Sequence, residues 1–208
     1  MLDTSATLEA FLSATAAKQP TPGGGAVAAL SGSLAASLAE MVIQYSLGKP
    51  ALAAYQVELQ TVLGELTRAR HLMSGLISED QSAYEALVAG RKLAAGTPRR
   101  DEIIAAAMQA CLTAPQTVAA TGVAILELCE QVVAKVNKHL LSDLAIAADL
   151  ATATVRIAIY NVKINLADLD DALHREAIEH TNQQILSRTL NIIQRLSPEI
   201  WRLHGAKG

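Results

Sequence analysis

The stretch "KQPTPGGGAVAALSGSLAASLAEM", Lys18 to Met41, decides the fold. From Thr21 to Ala39 it carries no charge, and most of it is Ala, Gly, Ser and Leu. Pro20, Pro22 and the triplet Gly23, Gly24, Gly25 stand directly before the apolar run, which is the punctuation of a helix start. Ala has the highest helix propensity, so the run predicts a helix whose small side chains let neighbouring backbones approach closely. Small residues recur four apart, Gly32 with Ala36 and Ala35 with Ala39, which places each pair on one face. A membrane-spanning helix needs about 20 strongly apolar residues. This stretch is diluted by Gly and Ser and closed by Glu40, so it reads as the buried helix of a soluble domain.

The rest of the chain agrees with a helical reading. Of 208 residues, 51% are hydrophobic but only 3% aromatic, so the core must be built from Ala, Leu, Ile and Val. A sheet asks for more aromatic and β-branched residues. The expectation is an all-α, single-domain bundle of long Ala-rich helices over residues 1–208. Long helices leave much Ala-rich surface uncovered, and self-association as a homodimer would cover it. The net charge of −3 comes with no basic run, which argues against a nucleic-acid partner. The N-terminus "MLDTSATLEAF" lacks a basic region followed by an apolar one, so no signal peptide is expected, no membrane is a partner, and the localisation expected is cytoplasmic. Cys111 and Cys129 fit no metal or redox spacing and read as reduced thiols.

Six helical segments are expected. They span Ser5 to Ala17, the glycine run to Leu47, Ala51 to Leu93, Asp101 to Lys135, Ser142 to Asn165, and Asp170 to Leu203. Gly64 or Gly75 would be the place for a bend in the third. Pro115 should kink or split the fourth and Pro198 the last, because proline removes a backbone donor and clashes with the preceding turn. "VRIAIYNVKI", Val155 to Ile164, is the one β-branched stretch where a strand competes, and the unbroken Ala-rich run before it favours helix.

Four features carry candidate chemistry. Glycines at a helix N-terminus leave backbone N–H groups unpaired and unobstructed, which suits an anion or a polar ring edge; a plain helix-start turn is the alternative. The run lacks the Lys-Ser or Lys-Thr of a P-loop and follows no strand. In "ISEDQSAYEAL", Ile77 to Leu87, Asp80 lies within an otherwise apolar helix, where a pocket-facing carboxylate can serve as general acid or base and a solvated face is the alternative. Ser142 and Asp143 open the fifth helix, where either can act as an N-cap. Asn161 and Asn165 stand i, i+4, so their amides share a face and can read the edge of a flat heterocycle or pair between helices. The five histidines form no HExxH or HxxxH pattern, so no metal site is expected, and no nucleophile-elbow signature occurs.

"PTPGGGAVAALSGSLAASLAEM" resembles the opening motif of the cyclodeaminase/cyclohydrolase family. The likeness continues through "LGK" (Leu47 to Lys49), "EDQSAYEAL", "TAPQTV" (Thr113 to Val118), "SDLAIAA" (Ser142 to Ala148) and "NVKINL" (Asn161 to Leu166), over about residues 5 to 190. The resemblance implies a dimeric all-α enzyme of folate one-carbon chemistry. It would act as a methenyltetrahydrofolate cyclohydrolase or a formiminotetrahydrofolate cyclodeaminase, by acid–base catalysis, with no cofactor beyond the tetrahydrofolate substrate. It places the acid–base aspartate at Asp80, with Asp143 as a second catalytic candidate. Pro22 and Gly23 to Gly25 would line the pocket, and Asn161 and Asn165 would read the pterin. Arg99 and Arg100 would meet the glutamate tail, and Lys49 the same tail or the polar end of the site. The alternative is a diverged, non-catalytic folate-binding or interaction protein that forms a helical dimer.

The chain departs from the family pattern at two places. "RKLAAGTP", Arg91 to Pro98, stands where relatives carry Arg-Leu-Pro-Lys. "VNKHLL", Val136 to Leu141, keeps only Asn137 of the usual Gly-Asn-Pro-Asn. Both bear on substrate preference and on activity.

Overall fold

The computed structural model describes residues 6–167, 169 and 171–205. Ser5 and Asp170, expected as helix starts, lie outside the described residues. Among these, six α-helices form the fold: α1 (Leu8–Ala16), α2 (Gly24–Gln44), α3 (Gln56–Arg91), α4 (Pro98–Val132), α5 (Leu141–Leu166) and α6 (Ala172–Gly205). The all-α expectation holds, and Val155 to Ile164 is helical throughout.

The bundle is organised around α2. It packs on α3 and α5 and touches α4; α4 in turn packs on α3 and α5, and α6 lies across α4 and α5. Ala26, Ala28, Ala29, Ala35 and Ala36 are fully buried. A side chain at Gly32 would strike the Met73 side chain of α3. A Cβ at Gly122 on α4 would lie 2.8 Å from Val155 Cγ2 and 3.4 Å from the Ala151 carbonyl, so α4 and α5 meet there at the distance only glycine allows. Both α2 and α4 have the length and apolar composition of a bilayer-crossing helix, and here α2 packs one face against α3, α4 and α5.

Three local expectations are corrected. α4 is not split at Pro115, nor α6 broken at Pro198. A proline inside a helix orphans the carbonyl four residues earlier, and a helix continues when another donor takes that carbonyl. For Pro115 that carbonyl belongs to Cys111, and it has such a donor. The third helix begins at Gln56 rather than Ala51. Pro50–Tyr55 forms 3₁₀ turns in which Leu52 (φ −113°, ψ 17°) leaves helical geometry.

The antiparallel pair α2 and α5 defines two ends of the molecule. At one, the glycines that start α2 lie against Asn161 near the end of α5. At the other, the buried Ser46 hydroxyl accepts the Asn137 N–H at 2.9 Å and donates to the Val42 carbonyl at 2.7 Å, joining the turn after α2 to the start of α5. The α2 helix spans 21 residues, so these ends are about 31 Å apart.

Candidate active site

The start of α2 has no side-chain cap. Gly23 takes the N-cap position in an extended conformation, and no side chain of its own exists to satisfy the first N–H groups. Asp80, from α3, supplies the missing acceptor, because its carboxylate receives the Ala26 N–H. The fit depends on Gly25. A Cβ there would overlap Asp80 Oδ1 and stand 2.7 Å from Oδ2.

Two opposing influences act on Asp80. Burial disfavours its charged form, and the Ala26 N–H favours it. Burial is the larger, so the carboxyl holds its proton to higher pH than an ordinary aspartate. A carboxyl group moved toward neutrality by its surroundings, at the edge of a cleft, is suited to taking and returning a proton.

Asn161 and Asn165 approach from α5. Asn165 Nδ2 donates to the Cys111 carbonyl at 2.6 Å, and Asn161 Nδ2 donates to the Ile157 carbonyl at 2.9 Å. A carbonyl only accepts, so both amides must turn nitrogen toward the backbone. Each Oδ1 is left to receive a donor from a ligand. The Asn161 oxygen lies 3.2 Å from where a Gly24 Cβ would stand, so Gly24 also makes room for a functional side chain. The Cys111 carbonyl is available because Pro115 has no N–H to offer it.

These groups surround a cleft of about 210 Å³ lined by Pro20, Thr21, Gly23, Gly24, Gly25, Asp80, Tyr84, Cys111, Asn161, Ile164 and Asn165. The cleft thus gathers the glycine triplet, Asp80 and the pair Asn161 and Asn165 from three distant parts of the sequence. Pro22 is buried behind the lining. Tyr84 and Cys111 are lining residues that sequence reasoning missed. Tyr84 follows Asp80 by one helical turn, and Cys111 precedes Pro115 by one turn; both spacings were readable.

The other candidates lie elsewhere in the chain. Asp143 is in the first turn of α5, 18 residues from Asn161 by number and so about 27 Å along the helix. Lys49 follows the far end of α2 and is exposed. Arg99 and Arg100 open α4, about 17 Å along it from Cys111. Arg100 meets Asp101 at 3.3 Å. The one charged residue that lines the cleft is therefore Asp80. Among the described residues, His, Cys, Asp and Glu side chains nowhere gather into a set that could hold a metal ion.

Comparison with known proteins assigns this architecture. The profile of the Formiminotransferase-cyclodeaminase family matches residues 7–184. A methenyltetrahydrofolate cyclohydrolase of Methylorubrum extorquens is 32% identical over 174 residues, which cover 82% of this chain and 84% of that protein. The formimidoyltransferase-cyclodeaminase of Rattus norvegicus is 29% identical over 185 residues; the match covers 87% of this chain and 34% of the rat protein, about a third of its length. The crystal structure of a formiminotetrahydrofolate cyclodeaminase from Thermotoga maritima superposes with a TM-score of 0.80 at 25% identity, over 97% of this chain and 96% of that one.

Proposed function

This chain belongs to the formiminotransferase-cyclodeaminase family, and we propose that it is a folate enzyme that hydrolyses 5,10-methenyltetrahydrofolate to 10-formyltetrahydrofolate. The observation that carries the reading is the Asp80 carboxylate, held against the start of α2 in a cleft with two amide acceptors.

In the proposed reaction, water adds to the carbon that bridges N5 and N10. Asp80, as carboxylate, takes a proton from that water as the C–O bond forms. The carbon becomes tetrahedral. Asp80 then returns that proton to N5 as the N5–C bond breaks, the hydroxyl proton passes to solvent as the C=O bond forms, and the formyl group remains on N10. The Asn161 and Asn165 oxygens accept N–H donors from the reduced pterin, which carries them along one edge. Free N–H groups at the start of α2 give the cleft a donor wall for a pterin carbonyl.

The Thermotoga likeness supports a second reading with the same machinery. In a cyclodeaminase, N10 attacks the formimino carbon and its proton passes to Asp80. Asp80 then protonates the departing nitrogen, which leaves as ammonia. The tetrahedral carbon is shared by both reactions, so one carboxyl serves either.

Loss of methenyltetrahydrofolate absorbance with purified protein tests the first reading. The wild type is expected to accelerate hydrolysis and Asp80→Asn to lose most of the gain. Equal rates with and without protein reject it. Ammonia release from 5-formiminotetrahydrofolate, measured in parallel, decides the second. A homodimer is part of the proposal, because it would cover apolar helix surface that the single chain leaves open.

A further inference from the structure

We infer that the glutamate end of the substrate leaves the Asp80 cleft across the outside of α5 and is held by Arg156 and Lys163, in a second pocket between α5 and α6. The identity of the substrate rests on the folate reading above; the pocket and its charge do not.

The pocket is the first observation. It has a volume of about 290 Å³ and is lined by Arg156, Ile159, Tyr160 and Lys163 of α5 and by Leu186 and Leu190 of α6. The lining is apolar apart from the Tyr160 hydroxyl and the two cations, and no acid belongs to it. Arg156 and Lys163 are exposed, and neither has an ion-pair partner among the described residues. The arginines on the α4 side of α6 differ, because each is matched to an acid: Arg188 to Glu127 and Arg195 to Glu130. Two unmatched cations beside an apolar floor suit a ligand that carries carboxylates on an apolar stem.

Helix geometry joins this pocket to the cleft. Turning about the α5 axis away from Asn161 and Asn165, the side chains come in the order Ile164, Tyr160, Arg156, Lys163. Ile164 lines the cleft and Tyr160 lines the pocket, and the two stand four residues apart on one face. Both are more than half exposed. On a helix about 11 Å across with its side chains, the path from Asn161 to the two cations is about 15 Å over the surface. Tetrahydrofolate has its parts in the same order: a polar pterin, an apolar benzoyl ring and a glutamate with two carboxylates. With the pterin at the asparagine amides, the ring crosses Ile164 and Tyr160, and the glutamate comes to lie between Arg156 and Lys163. The cleft itself offers that glutamate no cation, since its one charged lining group is Asp80. Every residue on this path belongs to one chain.

A cycle of two deletions, one in the substrate and one in the protein, tests the assignment. The methylamide of 5,10-methenyltetrahydropteroate keeps N5, N10 and the benzoyl ring but has no carboxylate. With the wild type, its KM is expected to be about tenfold above that of methenyltetrahydrofolate, at a similar kcat. The Arg156→Ala, Lys163→Ala double variant is expected to raise KM for methenyltetrahydrofolate by the same factor and to leave KM for the methylamide unchanged. Effects that add instead of overlapping overturn the inference. So does a KM that responds to removal of Arg99 and Arg100 and not to the α5 variant. p-Aminobenzoylglutamate alone reads the pocket without turnover. It is expected to shift the methyl resonances of Leu186 and Leu190 in the wild type and not in the double variant, and unmoved resonances in the wild type overturn the inference. These shifts report even if neither folate reaction is found. Conversely, hydrolysis with a KM indifferent to the glutamate leaves the proposed activity standing while the pocket assignment falls, so the two failures are distinguishable.

Discussion

The Asp80 carboxylate occupies the space that a side chain on Gly25 would fill. One helix start and one acid are therefore built as a unit, since the glycine admits the carboxylate and the carboxylate caps the helix. Gly25→Ala should move Asp80 by an ångström or more. Misplacement on that scale costs about 100-fold in rate, and a loss of that order in kcat is expected. Gly24→Ala meets only the Asn161 amide, at 3.2 Å, and should cost less. Steady-state rates beside unchanged circular dichroism check both. An unaltered rate for Gly25→Ala would show that Asp80 does not need this position.

The raised pKa of Asp80 has a sign that stability can read. In the unfolded chain an aspartate loses its proton near pH 3.9. In the fold, burial keeps the proton on to higher pH. Between the two values the folded state binds more protons than the unfolded state, so stability falls as pH rises through that window. Above the folded value the loss is complete. Asp80→Asn removes the ionisation and keeps the shape. The variant is expected to melt at or above the wild-type temperature at neutral pH, with its advantage shrinking toward pH 4. Melting curves across pH decide it, and a variant less stable than wild type at neutral pH would mean that the ionised carboxylate is a net stabiliser.

That carboxylate also sets the acid side of the rate profile. Asp80 must be ionised to take the first proton, so kcat/KM should rise with pH through its folded value. The rise should lie at higher pH than an ordinary aspartate gives. The residual rate of Asp80→Asn should lack the step. A profile with the same limb in both proteins would assign the titration to another group.

The order of the helices and the importance of the glycine triplet were legible in the sequence because both rest on local signals, propensity and backbone permissiveness. The spatial grouping was only partly so. Asp80, Asn161 and Asn165 came from resemblance and spacing, but nothing local says that α3 and α5 deliver them to the same end of α2. Lys49 and Asp143 show the converse. A linear motif gives residue identity but not the end of a bundle to which an antiparallel connection carries it. Pro115 was half legible. Read by itself it predicts a kink or a split; in the fold the helix is not split, and the carbonyl it orphans is the one that anchors Asn165.

Pro115→Ala separates those two roles. The new N–H would compete with Asn165 for the Cys111 carbonyl, now held at 2.6 Å. Proline inside a helix is about 3 kcal/mol less favourable than alanine, so the variant should be no less stable than wild type. Its activity should fall, chiefly through KM, as the Asn165 amide loses its fixed orientation. Thermal unfolding together with KM and kcat tests the pair. A variant with wild-type KM would mean that Asn165 is held by packing alone.

The two thiols should behave differently toward an alkylating reagent. Cys129 is fully buried, and burial pushes its pKa up to about 12, so almost none is thiolate at neutral pH. Cys111 lines the cleft and is partly exposed. The native chain is expected to take up one label, on Cys111, and to lose activity as it does so, because the adduct fills space beside Asp80. Bound tetrahydrofolate should slow the labelling, and the second thiol should react only after denaturation. Mass spectrometry locates the label. A chain that is fully labelled at Cys111 and still turns over at the wild-type rate would place the reaction outside this cleft.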